Sequence, residues 1–358
     1  MKLKEIIESV EPGDQTARRE AQRRWDSLAK PLGSLGVLEE AVIKIAALTG
    51  DPEVRLQKRT LLVFCADNGV TAQGVSQSDA SVTTAVAAAL GRGDSTVSFM
   101  AKKADCQVIP VDVGMARAVN DVRLHDMHVC RGTHNFLHED ALNLDEVQSA
   151  IAAGRTLSHE LAAQGYNLLL AGEMGIGNTT TSAAVASVLL GTDPAELTGR
   201  GAGLDEERLR HKRAVIWQGI AARAPRADDV LDVLAKVGGC DIAAMTGFYI
   251  GAAECRVPVL ADGVISCTAA LCAMRLEPSV ADCLFASHLG AEPACARLAA
   301  ELDRMSGGGF TPIVHAGMHL GEGTGALSAV PLLRMALAVY EGMQGFDDIG
   351  IAQYEDFN

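Results

Sequence analysis

At 358 residues the chain can bury a large core, and 48% hydrophobic with 21% charged residues is the composition of a globular protein. A net charge of −14 repels phosphate polymers and anionic lipid, which sets nucleic-acid and membrane binding aside. An anionic ligand must then be held locally, by backbone amides or a few placed cations, and 36 glycines suit backbone that comes close to ligands.

Lys2, Lys4, Glu5 and Glu8 interrupt the apolar positions at the start, so no signal peptide is read there, and no apolar run is long enough to span a bilayer. Nine cysteines without a Cys-x-x-Cys fall mostly in apolar runs, as buried free thiols do, which points to a reducing cytoplasm.

In chain order, Asp14 is placed to cap a helix running to Lys30. The Pro31-Leu32-Gly33-Ser34-Leu35-Gly36 break follows, and residues 37–48 resume helical spacing. From Thr60 short apolar runs recur, each ending in a polar residue or Gly. They are 61–66 before Asp67, 108–111 before Asp112, 168–171 before Gly172-Glu173, 257–260 before Asp262-Gly263, and 283–286 before Ser287-His288. Ala-rich stretches of helical length separate most of them, which predicts an α/β fold: a parallel sheet with helices on both faces. Ligands of such sheets collect beyond the carboxyl ends of the strands, where these polar residues fall. After a Gly307–Gly309 run come Glu322 in a Gly-rich turn and a helix over 326–343. The helical ends predict a small domain from residues 1–59 and 306–358 beside a large domain at 60–305.

Gly172-Glu173-Met174-Gly175-Ile176-Gly177-Asn178-Thr179 joins a predicted strand to a predicted helix over 179–190. Glycines let main-chain N–H groups crowd a phosphate, and the helix start adds its dipole. Asn178 stands where a P-loop needs Lys, so a monophosphate suits the site better than a triphosphate. The plain alternative is a tight strand–helix turn. Gly199-Arg200-Gly201-Ala202-Gly203, with Lys212 in the following helix, is a second cradle by composition, although such glycine loops are often only flexible. Glu322 between Gly321 and Gly323 is either a general base or a solvated loop acid beside a helix that Thr324 caps. His125, His128, Cys130, His134 and His138, and the pair His315 and His319, read as surface or structural residues, so no metal is expected. No Gly-x-Ser-x-Gly elbow is present, and no strict Gly-x-Gly-x-x-Gly opens the sheet. The residues alone leave an enzyme or binding protein for a small phosphorylated ligand.

Taken together the motifs resemble the nicotinate-nucleotide–dimethylbenzimidazole phosphoribosyltransferase family over nearly the whole chain. They are Lys30-Pro31 with Gly33–Gly36, Phe64-Cys65-Ala66-Asp67, Gly172–Thr180, Lys236-Val237-Gly238-Gly239 with Met245-Thr246-Gly247, Asp262-Gly263, Ser287-His288 and Leu320-Gly321-Glu322-Gly323. The resemblance implies a Rossmann-like large domain, a small helical domain, a homodimer, and no cofactor. It implies transfer of 5-phosphoribosyl from nicotinate mononucleotide to an aromatic base for cobamide assembly. It assigns Glu322 as general base and Glu173 as its partner acid. Gly175, Gly177, Gly201, Gly203 and Lys212 become the phosphate set, with Asn178 and Thr179 beside them, and Ser78, Val86, Met174 and Leu320 the acceptor walls. The chain departs from the family pattern at Asn68, Val86 and Met174. The last two keep phenolic acceptors open, since some relatives glycosylate phenols as a pair of unlike subunits. The rivals are a nucleotide-dependent kinase or dehydrogenase, and a non-catalytic paralogue that binds the acceptor.

Overall fold

The computed structural model describes residues 12–119, 122 and 124–354. Six parallel strands form one sheet: β1 (Arg59–Ala66), β2 (Gln107–Gly114), β3 (His125–Asp126), β4 (Leu168–Met174), β5 (Val259–Ala261) and β6 (Leu284–Ala286), in the order β3-β2-β1-β4-β5-β6. Strands β1 to β3 are laid down outward on one side and β4 to β6 outward on the other, so the strand order reverses between β1 and β4, the switch point where open α/β sheets bind ligands. β1 pairs on one side with β2 and on the other with β4, and Phe64 and Cys65 lie opposite Glu173 and Met174. All eight residues of β1 are buried, as a central strand covered on both faces requires.

Alternate residues feed two cores. Leu62, Phe64, Leu169 and Ala171 face the helices Leu144–Ala163 and Cys240–Glu254, where Phe64 meets Phe248 edge-on at 5.5 Å. Leu61, Val63, Cys65, Leu168 and Leu170 join a second core with Trp25, Ile45 and Leu333, contributed by the helices Gln15–Ser27, Val37–Thr49 and Thr324–Gly342. These helices are tied together by Trp25 against Tyr340 at 5.1 Å, by Arg24 donating to the Tyr340 and Met343 carbonyls at 3.0 Å, and by a bridge between Leu28 and Gly345.

The predicted strands and helices are present with shifts of a few residues at their ends. Asp14 caps the first helix, accepting from Thr16 and Ala17 N–H at 2.6 and 2.9 Å. Two expectations change. β3 was not anticipated, because a two-residue polar edge strand inside the histidine-rich stretch has no apolar run to announce it. Thr324 does not cap its helix: Gly323 occupies the cap, and the Thr324 hydroxyl donates back to the Gly321 carbonyl at 2.8 Å. Among the described residues no helix is long and apolar enough to cross a membrane.

Candidate active site

β4 ends on Glu173-Met174, and the chain then turns through Gly175, Ile176 and Gly177 into the helix Asn178–Leu190. The turn needs its glycines: a Cβ on Gly175 would stand 2.5 Å from the Ala66 carbonyl oxygen, and Gly177 has φ +93°. Gly177 offers no side-chain cap, and the Asn178 and Thr180 N–H groups donate to the Gly175 and Gly177 carbonyls at 3.2 and 2.9 Å, so the turn is closed by its own backbone at the helix start.

Glu322 is brought to the same edge by a turn lying flat on the sheet. Gly321, Glu322 and Gly323 have φ of 87°, 58° and 83°, three left-handed residues in succession. The close approach explains the two glycines. A Cβ on Gly321 would lie 2.6 Å from Glu173 Oε1, and one on Gly323 would lie 2.4 Å from Leu61 Cδ1. Asp262, just beyond β5, holds the turn by accepting from Gly323 N–H at 3.1 Å and Ala326 N–H at 3.0 Å. Placing a glutamate in this backbone region costs about 1–3 kcal/mol, which the surrounding contacts must over-determine.

The electrostatics follow from crowding. Burial first, then the nearby Asp262, pushes the Glu322 carboxyl up, and its Oε2 is buried without a hydrogen-bond partner. Glu173 is buried, and burial together with the charge of Asp241 lifts its pKa to about 8. Burial lifts Asp241 to about 6. The Asn178 side-chain amide joins the two, donating to Glu173 Oε2 and, at 3.1 Å, to Asp241 Oδ2.

A second group lies alongside. Lys212, 1% exposed, donates to Thr179 Oγ1 at 2.8 Å, and burial lowers its pKa to about 8. Gly201, with φ +53°, donates its N–H to Glu292 Oε1 at 3.0 Å, and its own Cβ position lies 3.5 Å from Lys212 Nζ.

These groups meet at a cavity of about 290 Å³. Val86, Met174 and Leu320 form apolar wall, and Glu173, Gly175, Gly177, Asn178, Thr179, Gly201 and Glu322 also line it. Gly203 opens instead onto an adjoining space of about 740 Å³, and its carbonyl accepts from Gln77 Nε2 at 2.5 Å. Lys212 reaches the cavity through Thr179. Ser76 lines it where Ser78, two residues on, does not. The histidines of the 125–138 stretch lie elsewhere: His128 pairs with Asp112 at 3.2 Å, His134 with Glu139 at 3.5 Å, and His138 with Gln73 at 3.3 Å. His319 does line the cavity. Asp241, Asp262 and Glu292 were not singled out as site residues. Asp262-Gly263 at a strand end was a visible signal for one of them, whereas Asp241 and Glu292 announce themselves only through their spatial partners.

Carboxylates held partly neutral at the carboxyl edge of a parallel sheet, facing apolar wall and flanked by a lysine-backed glycine loop, are the equipment of a group-transfer enzyme for a phosphorylated substrate. The chain belongs to the phosphoribosyltransferase family whose model matches residues 10–351. It is similar to the nicotinate-nucleotide–dimethylbenzimidazole phosphoribosyltransferases of Acetivibrio thermocellus, 42% identical over 93% of each chain, and of Ruminiclostridium cellulolyticum, 39% identical over 99% of each. Its fold is similar to the crystal structure of CobT from Thermus thermophilus, with TM-score 0.88 and 36% identity over 95% of this chain and 100% of that one.

Proposed function

We propose that this chain transfers 5-phosphoribosyl from nicotinate mononucleotide to 5,6-dimethylbenzimidazole or a related aromatic base, giving α-ribazole 5'-phosphate and nicotinate for cobamide assembly. The observation that carries the reading is the Glu322 carboxylate, with one oxygen buried and unpartnered at a cavity large enough for a bicyclic ring. The C1'–N bond to the pyridinium breaks with its electron pair going to the ring nitrogen, so the cationic leaving group departs as neutral nicotinate nitrogen. The unprotonated ring nitrogen of the acceptor forms the new bond on the opposite face, which turns the β-linkage into α, and the proton on the other ring nitrogen passes to Glu322, leaving a neutral N-riboside. Glu173, lifted to about 8, is a neutral acid near pH 7 and does not compete for that proton. Lys212, Thr179 and the amides of the Gly175–Gly177 and Gly201 turns hold the 5'-phosphate, and the remaining catalysis is alignment.

Phenolic acceptors are the second reading, favoured by one observation: Val86 and Met174 both line the cavity and offer no hydrogen bond to a ring nitrogen. The protein works in the cytoplasm as a dimer of identical or paralogous subunits. Purified chain incubated with nicotinate mononucleotide and either 5,6-dimethylbenzimidazole or p-cresol tests both readings. Nicotinate release coupled to a ribotide of the benzimidazole is the expected result. Ribotide from p-cresol alone moves the assignment to phenols, and no release with either acceptor overturns it.

A further inference from the structure

Resting on the phosphate-cradle reading above, we propose that Glu292 is a specificity-determining residue: its carboxylate competes for the cradle and yields it only to a phosphate dianion. The Gly201 N–H donates to Glu292 Oε1 at 3.0 Å, so this amide is already engaged by an anion. The loop is shaped around that anion. A Cβ on Gly199 would fall 1.7 Å from Glu292 Oε2, so no residue but glycine admits the carboxylate there. Lys212 is the buried cation of the same cradle, and Glu292 is the charge that acts on it to raise its pKa against the effect of burial. The carboxylate is not needed where it sits for the helix it precedes: Glu292 is the cap residue of Pro293–Met305, yet its side chain makes no capping hydrogen bond. It also has somewhere to go, since it lines the adjoining 740 Å³ space as well as the cavity itself.

A phosphate monoester brings a charge of about −1.5 to −2 and three acceptor oxygens, against one charge and two oxygens on the carboxylate. It therefore outcompetes Glu292 for Gly201 and Lys212, whereas a nucleoside without phosphate leaves Glu292 in place. The resident carboxylate reduces the observed affinity for phosphate by the fraction of time the cradle stands free, so a cradle occupied nine parts in ten costs about tenfold.

The experiment titrates inorganic phosphate and nicotinate riboside into wild type, Glu292→Gln and Glu292→Ala, with Lys212→Ala as the reference. Both Glu292 variants should bind phosphate about tenfold more tightly and show a KM for nicotinate mononucleotide lowered in parallel, with riboside affinity unchanged. Unchanged or weakened phosphate binding overturns the proposal, and a loss of riboside affinity reassigns Glu292 to holding the ribose. Phosphate binding indifferent to Lys212→Ala would instead sink the cradle itself. Should the Glu292 variants not fold, a phosphate-soaked crystal of the wild type decides: Glu292 displaced from the Gly201 amide is expected, and Glu292 still on it refutes the idea.

Discussion

Two carboxylates that converge on one cavity are given different chemistry by different neighbours. Glu322 has an unpartnered buried oxygen, and Glu173 has Asn178, Asp241 and full burial. Glu322→Gln should lower kcat by roughly 10²–10⁴-fold while the dissociation constant for nicotinate mononucleotide stays near the wild-type value. Near-normal turnover would move the base to Glu173. Glu322→Gly should be equally inactive and yet melt higher than wild type, because glycine relieves a left-handed φ of 58° worth about 1–3 kcal/mol. A melting temperature at or below wild type would remove strain from the description of this turn. The lysine sets the alkaline behaviour. In its proposed role Lys212 holds phosphate as an ammonium, and burial lowers its pKa to about 8, so kcat/KM for nicotinate mononucleotide should fall as pH rises past that value. An arginine stays charged throughout, so Lys212→Arg should push this limb to higher pH. A limb that stays near 8 in the variant would belong to Glu173 losing its proton.

At the scale of elements, the helices Leu144–Ala163 and Cys240–Glu254 approach so closely that a Cβ on Gly154 would lie 1.8 Å from the Ala244 carbonyl oxygen and one on Gly247 1.8 Å from that of Ile151. Gly247→Ala must therefore part the pair, at about 1–3 kcal/mol, and urea melts should show it. Because the second helix begins at Cys240-Asp241, the same change should disturb the Asp241–Asn178–Glu173 contacts and lower kcat as well. Wild-type stability would show that the helices can slide apart at no cost. Legibility in the sequence divides along similar lines. β1 and β4 stood out because a strand covered on both faces is an unbroken apolar run, and the first helix because Asp14 precedes it. β3 is two polar residues whose only qualification is the edge of β2. The polar residues at strand ends pointed to the correct edge of the sheet, since parallel topology sends them all there. Glu322 was different: from its neighbours alone a solvated loop acid was the simpler reading, and only the resemblance named it. Its burial depends on Gly172 and Leu61, 150 residues and more away in the chain, which no local pattern encodes.

Over the whole molecule, the buried acids make stability depend on pH with a definite sign. Glu173 binds its proton up to about pH 8 when folded, whereas an ordinary glutamate releases it near 4.5. Between those values the folded state holds more protons, so stability is greatest at the acid end of the window and falls as pH rises through it. The slope from this one group reaches about 1.4 kcal/mol per pH unit, and Glu173→Gln should flatten it in denaturant melts taken from pH 5 to 8. A wild-type slope that the variant leaves untouched would mean that Glu173 ionises normally. The turn that carries Glu322 has a further consequence for how the protein comes into being. Asp262 leaves the ribosome some sixty residues before Gly323 and Ala326, the two amides that satisfy it. The central strand β1 likewise waits for β4, made a hundred residues later, and one of its covering helices, Thr324–Gly342, is made later still. Contacts so distant in sequence pay a large loop-closure entropy and close slowly. Glu322 therefore takes its place late: the turn that carries it closes only when the last tenth of the chain is available to meet Asp262 and Leu61, long after the strands it lies on have been made.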